Sequence, residues 1–272
     1  MLEQIARTAI AAGQAILPYY RSDEAGVVLK GDGSPVTLAD VAAERVIVDA
    51  LYRIAPDIAV VAEEAVASGA VPAMADRFFL VDPLDGTREF VGGSGEFTVN
   101  IALIEDGRPV FGVVHAPALG RIFVGESGHG ARRADVDGEA LGAWRPIGVG
   151  RSDPAALRVV ASRSHLSQET RDFVGRFAVK EFVSAGSSLK FCAVASGEAD
   201  FYPRLGRTME WDTAAGDAVL SAAGGSVVTM DGRPLRYGKR AQADDVDFAN
   251  PWFVAVGGFD PLAAATATGS AA

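Results

Sequence analysis

The segment Asp82-Pro83-Leu84-Asp85-Gly86-Thr87 gathers two carboxylates, a proline and an Asp-Gly pair within six residues. Proline fixes one backbone angle and Asp-Gly favours a tight turn, so the two acids need not point to opposite faces as they would along a strand. They can converge with the Leu84 carbonyl between them. Two carboxylates and a carbonyl are hard oxygen donors, suited to Mg²⁺ rather than to zinc or copper. The amides of Gly86 and Thr87, at the start of a short helical segment, can meet a phosphate oxygen. A lone Asp-Gly is more often a plain turn, but this one has company. Glu63 closes an apolar run, and Asp212 follows Trp211 at the head of another. Clustered carboxylates are costly without cations, so convergence of these acids calls for metal.

The elements that must position them are legible in the hydrophobic pattern. Leu2, Ile5, Ala9, Ala12 and Ile16 recur at helical spacing over residues 1–20. A second helix is expected from Thr37 to Ile54, opened by a capping-box variant through Asp40, with Val41, Val48 and Leu51 on its apolar face. Ile58–Ala62 and Phe78–Val81 read as short buried strands that end in Glu63-Glu64 and Asp82. Strands and hairpins follow from Phe97 to Ile147, and the polar stretch Gly148–Pro154 marks a lobe boundary. Beyond it, strands at 158–161, 179–183, 200–202 and 226–230 alternate with helices at 167–177, 187–196 and 212–223. The expectation is an N-terminal α+β lobe over 1–150 and a C-terminal α/β lobe over 151–272.

Composition narrows the partners. The net charge of −10 provides no global positive field for a nucleic acid polymer, so an anionic substrate must find local charge. A single cysteine, Cys192, excludes an intramolecular disulfide and a thiolate metal cage. The three histidines are well separated, which argues against a His-rich metal site; His115, His129 and Trp211 read as structural. No apolar run is long enough to span a bilayer, and the N-terminus lacks the pattern of a secretory signal. A cytoplasmic location is expected, with peripheral association at the inner membrane left open.

Asp82-Pro83-Leu84-Asp85-Gly86-Thr87 and Trp211-Asp212-Thr213-Ala214-Ala215-Gly216 together resemble the two signatures of the inositol monophosphatase superfamily of Mg²⁺-dependent, lithium-sensitive phosphatases. The resemblance implies an α+β fold, a layered αβαβα sandwich. It implies that Glu63, Asp82, Asp85, Asp212 and the Leu84 carbonyl hold two or three Mg²⁺ ions. It also implies that Asp40 and Thr87, with Glu63, position and activate the attacking water. Asp40 has the helix capping box as its competing role.

Over residues 1–255 the chain is similar to one branch, the CysQ-type 3'(2'),5'-bisphosphate nucleotidases, through Gly95–Leu103, Ser162–His165, Gly186–Cys192 and Tyr202-Pro203-Arg204 among others. This resemblance implies removal of the 3'-phosphate from adenosine 3',5'-bisphosphate, a by-product of sulfate assimilation, to leave AMP. Gly86 and Thr87, with Ser162, His165, Gly186 and Lys190, are the implied substrate contacts, the last four toward the nucleotide and its remaining phosphate. An inositol monophosphatase or sugar bisphosphate phosphatase is the alternative within the superfamily, and a non-catalytic nucleotide sensor the alternative outside it.

Overall fold

The computed structural model describes residues 1–22, 26–29, 35–161 and 167–264. Its elements stack in five layers. Helices α1 (Leu2–Ile16) and α2 (Leu38–Ile54) cover one face of a large sheet. That sheet runs β10-β8-β7-β6-β5-β4-β3, with the short β9 (Ala140–Leu141) paired to β8. Its strands are β3 (Ala59–Ala62), β4 (Arg77–Asp85), β5 (Thr98–Glu105), β6 (Arg108–Ala116), β7 (Arg121–Glu126), β8 (Gly130–Asp137) and β10 (Arg145–Ile147). Among the described residues, only the β3–β4 pair in it is parallel. On its other face lie α6 (Leu189–Ala195) and α7 (Ala214–Ala222). Beyond them a second sheet runs β12-β11-β13-β15-β14, formed by Val179–Ser184, Leu157–Ala161, Phe201–Arg204, Phe253–Val256 and Ser226–Thr229. α5 (Gln168–Val174) closes the stack through Phe173 and Val174. This is the layered α+β sandwich that the sequence resemblance implies. Two short helices, α3 (Glu63–Ala67) and α4 (Thr87–Val91), and a two-stranded ribbon, β1 (Val28–Leu29) with β2 (Pro35–Val36), complete the set used below.

The large sheet is apolar on both faces because helices cover both. Phe79, Val81, Ile101, Leu103, Val113 and Val124 point into the core shared with α1 and α2. Phe78, Leu80, Ala102, Ile104, Val114 and Phe123 point into the core shared with α6 and α7. Alternation along each strand assigns the two sets. The second core therefore mixes residues from before and after position 150, and the C-terminal helices α6 and α7 are its middle layer.

Two features of the pattern were misread from sequence. Leu51 is buried as expected, but Val41 is exposed and Val48 only half-buried; Ala39, Ala43 and Ile47 complete the buried i, i+4 stripe with Leu51. Small alanines pack there because α1 lies against them, which a hydrophobicity count undervalues. β15 was not anticipated; it pairs antiparallel with β13 and β14 at the heart of the second sheet.

α7 sits on the large sheet at Gly112 and Gly125, which are directly paired across β6 and β7. A Cβ at Gly112 would lie 2.5 Å from the Ala215 carbonyl oxygen, and one at Gly125 would lie 2.5 Å from that of Ala218. The pair makes a bare patch on which the helix backbone rests, and this contact delivers Asp212 to the sheet. Gly112→Ala should lower stability by about 1–3 kcal/mol through overpacking. A urea melt reads this as a lower midpoint at unchanged slope, and an unmoved midpoint would show that the helix is not seated there.

Candidate active site

Glu63, Asp82 and Asp212 each place a carboxylate oxygen within 4.8 Å of the other two. They come from three separate segments. Glu63 is the first residue of α3, directly after β3. Asp82 lies in β4, the parallel neighbour of β3, so both side chains leave the same end of the sheet. Asp212 lies in the turn before α7, where its carboxylate accepts from the Met209 amide at 2.8 Å. The first acid of the Glu63-Glu64 pair is the one in the cluster, and the Glu64 amide donates to the Glu44 carboxylate at 2.8 Å.

Asp85 joins through a β-bulge. Asp82 and Asp85 are separated by three positions, which in a regular strand would put them on opposite faces. Across the ladder Asp82 faces Asn100 whereas Asp85 faces Thr98, only two positions apart. One extra residue on β4, in the Pro83-Leu84 stretch, thus reverses the parity and turns both acids to one side. β4 runs on through Asp85 rather than stopping at Asp82. The Asp82 carboxylate accepts from the Leu84 amide at 3.0 Å. Thr98 Oγ1 and Asn100 Nδ2 each reach Asp85 Oδ2 at 3.4 Å. Gly86 then takes the left-handed conformation with φ +89°, and a Cβ there would collide with Ser187 Oγ.

The acids raise one another's proton affinity. Asp82 is pushed well above the ordinary carboxylate range by burial, then by the charges of Glu63, Asp85, Asp212 and Asp40. Asp212 is pushed up to about 8 by burial, then by Asp85 and Glu63, with Arg204 pulling the other way. Asp85 is raised by burial, against a lowering by the Lys190 charge. A raised folded-state value means that the ionised cluster opposes folding at neutral and alkaline pH, and that this cost disappears in acid where the groups are protonated in both states. The donor set is all hard oxygen, and the buried Asn100 Oδ1 beside it has no hydrogen-bond partner among the described residues. Repelling acids and a spare buried acceptor fit a hydrated divalent cation.

The remaining expected positions divide. Asp40 is buried and serves the capping box: its Oδ2 accepts from the Thr37 amide at 2.7 Å and from the Thr37 hydroxyl at 2.6 Å. Its charge is felt by Asp82, so it lies beside the cluster. Thr87 Oγ1 reaches the Leu84 carbonyl at 3.4 Å, and among the described residues no hydrogen bond joins it to Asp40. Lys190 Nζ donates to the Ser187 carbonyl at 3.1 Å and lies 5.8 Å from the Tyr202 ring centre. Gly186 packs directly on Glu96, where a Cβ would lie 2.6 Å from the carbonyl oxygen. Ser162 and His165 lie outside the described residues. Cys192 is buried with its thiol pushed up by burial, and His115 is buried with its ring lowered to about 4, in keeping with structural roles. Four side chains that touch the site lie in stretches that carry the resemblance but have no role assigned from sequence: Thr98, Asn100, Ser187 and Ser188. The signal was a polar Asn inside the apolar run Phe97–Ile104.

The model of the Inositol monophosphatase family matches residues 1–255. The chain belongs to the inositol monophosphatase family. Among its relatives in that family is the 3'(2'),5'-bisphosphate nucleotidase CysQ of Shigella flexneri, 44% identical over 254 residues, 93% of this chain and 98% of the relative. The CysQ of Escherichia coli strain K12 is 43% identical over the same share of both. Among solved structures, CysQ from Bacteroides thetaiotaomicron superposes with a TM-score of 0.75 at 35% identity, covering 95% of this chain and 97% of that one. An inositol monophosphatase from Anabaena superposes with a TM-score of 0.73 at 26% identity, covering 98% and 95%. Inositol monophosphatase family enzymes are metal-dependent phosphatases, and the acid cluster is one that could hold a metal ion. Among the described residues no helix is long and apolar enough to cross a membrane.

Asp82→Asn should raise the melting temperature in EDTA at pH 8, by roughly 2–4 °C for each ~1 kcal/mol of repulsion relieved, and should abolish the further rise produced by Mg²⁺. Differential scanning fluorimetry with and without metal checks both; a destabilised variant that still gains from Mg²⁺ would contradict the electrostatic account.

Proposed function

We propose that the chain is a Mg²⁺-dependent 3'(2'),5'-bisphosphate nucleotidase that removes the 3'-phosphate of adenosine 3',5'-bisphosphate, giving AMP and phosphate. The observation that carries this reading is the meeting of Glu63, Asp82 and Asp212, with Asp85 turned to the same side, in a chain 44% identical to a CysQ nucleotidase. In it, Glu63, Asp82, Asp85, Asp212 and the Leu84 carbonyl hold two or three Mg²⁺ ions. Bound there, Mg²⁺ supplies positive charge to the phosphate oxygens and the leaving alkoxide and makes water a better nucleophile.

The protein's own groups do the rest. Asp40 and Thr87 flank the acids and, with Glu63, orient and activate the attacking water: the Asp40 carboxylate accepts the Thr87 hydroxyl proton, so that the hydroxyl oxygen accepts from the water. For Thr87 this requires its hydroxyl to leave the long contact with Leu84, a rotation about one bond. The first-turn amides of α4, at Gly86 and Thr87, have no intrahelical partner and point donors at the phosphoryl oxygens. Lys190 places a cation close enough to act on Asp85, and with Gly186, Ser162 and His165 it serves the end of the substrate that carries the second phosphate. The site lies between a lobe over 1–150, which supplies three acids, and a lobe over 151–272, which supplies Asp212.

Structural likeness to an inositol monophosphatase supports the second reading, hydrolysis of inositol 1-phosphate. Phosphate release from the two substrates in Mg²⁺ separates them. The nucleotide should be preferred in kcat/KM by more than tenfold (~1.4 kcal/mol), and a preference for the inositol ester would overturn the choice. Asp85→Asn should lower kcat by ~10²-fold or more while the far-ultraviolet circular dichroism stays unchanged. Full activity in that variant would remove the metal mechanism.

A further inference from the structure

Asp85 and Asp212 arrive from opposite halves of the chain, yet a continuous buried polar chain joins them. Asn100 Nδ2 reaches Asp85 Oδ2 at 3.4 Å and donates to Ser188 Oγ at 2.9 Å. Ser188 Oγ in turn donates to the Asp212 carbonyl at 2.8 Å. The polarity of this chain is determined by chemistry. An ionised carboxylate only accepts, so the amide must present its NH₂ to Asp85, which leaves Oδ1 without a partner among the described residues. The serine hydroxyl owns one proton, and it goes to the carbonyl. Asn100 and Ser188 are each 1% exposed, so water does not substitute for these bonds readily. The neighbouring Ser187, held at φ +49°, makes a parallel tie, its hydroxyl 2.8 Å from both the Asp85 and Glu96 carbonyls.

We propose that Asn100 and Ser188 are positioning residues, a buried strut that sets the distance between the two halves' metal-binding carboxylates. Asn100 is opposite Asp82 on the ladder, so a shift of its side chain is felt by the bulge that aims Asp85. Ser188 precedes α6 and grips the backbone of Asp212 itself, fixing where that carboxylate starts. Mutual repulsion drives the acids apart in the absence of a cation, and the strut opposes it with hydrogen bonds from two neutral side chains, one to the Asp85 carboxylate and one to the Asp212 backbone carbonyl. Groups that orient ligands in this way are commonly worth about 10–100-fold in metal affinity.

This inference rests on the metal reading above, and isothermal titration calorimetry with Mg²⁺ alone, no substrate present, tests the two separately. Wild type should bind Mg²⁺, and Ser188→Ala and Asn100→Ala should each weaken binding about tenfold or more. Because both act through one chain, the double variant should be little worse than either single one. Ser188→Thr, which keeps the hydroxyl, should restore most of the affinity. Melting temperature in EDTA controls for a purely structural loss. Variants that melt lower but bind Mg²⁺ within twofold of wild type overturn the strut and leave the metal reading intact. Wild type without Mg²⁺ affinity overturns both. If Ser188→Ala does not fold, Asn100→Ala alone decides by the same criterion.

Discussion

Negative charge held in a confined space is the constraint on which the rest of this structure depends. Glu63, Asp82 and Asp212 meet within 4.8 Å, Asp85 adds a fourth acid beside them, and burial denies all of them full hydration. Left to themselves these groups would separate or bind protons. The fold prevents the first by mounting each acid at the end of a packed element. It leaves the second open, so that the site is poised to exchange protons for a divalent cation.

The mounting uses small residues where larger ones would be easier to recognise. Gly112 and Gly125 let α7 rest on the sheet, and the same helix begins two residues after Asp212. Gly86 leaves room for Ser187, which ties the Asp85 turn to the loop before α6. Gly216 makes way for the ring of Phe191, holding α6 and α7 together. In each case the missing side chain is what brings a functional group within range.

Much of this was readable in the sequence, unevenly. The pattern of α1, the capping box at Thr37 and Asp40, and the hairpins after Phe97 follow from local periodicity and local hydrogen bonds. The meeting of Glu63, Asp82 and Asp212 is foreshadowed by acids that end or open apolar runs, whereas Asp85 is marked by the Pro83 and Asp85-Gly86 turn and by its signature. The bulge was not readable: it depends on the ladder between β4 and β5, a non-local register that Pro83 alone does not specify. Val41 falls off the buried stripe because alanines at 39 and 43 fill the close contact with α1, and a hydrophobicity pattern ranks valine above them. Asn100 and Ser188 lie in stretches that carry the resemblance, but their role is hidden in sequence since it lies in a contact between positions 88 residues apart. Asp40 was read with two roles, and the hydrogen bonds it makes here belong to the helix cap.

The central claim is that these acids form one cation site. Soaking crystals with Mn²⁺, which accepts the same oxygen donors as Mg²⁺ and scatters anomalously, tests it most directly. The account predicts an anomalous peak at coordination distance from Glu63, Asp82 and Asp212 together. A map with no peak there, or with Mn²⁺ bound only at other surface acids, would contradict it.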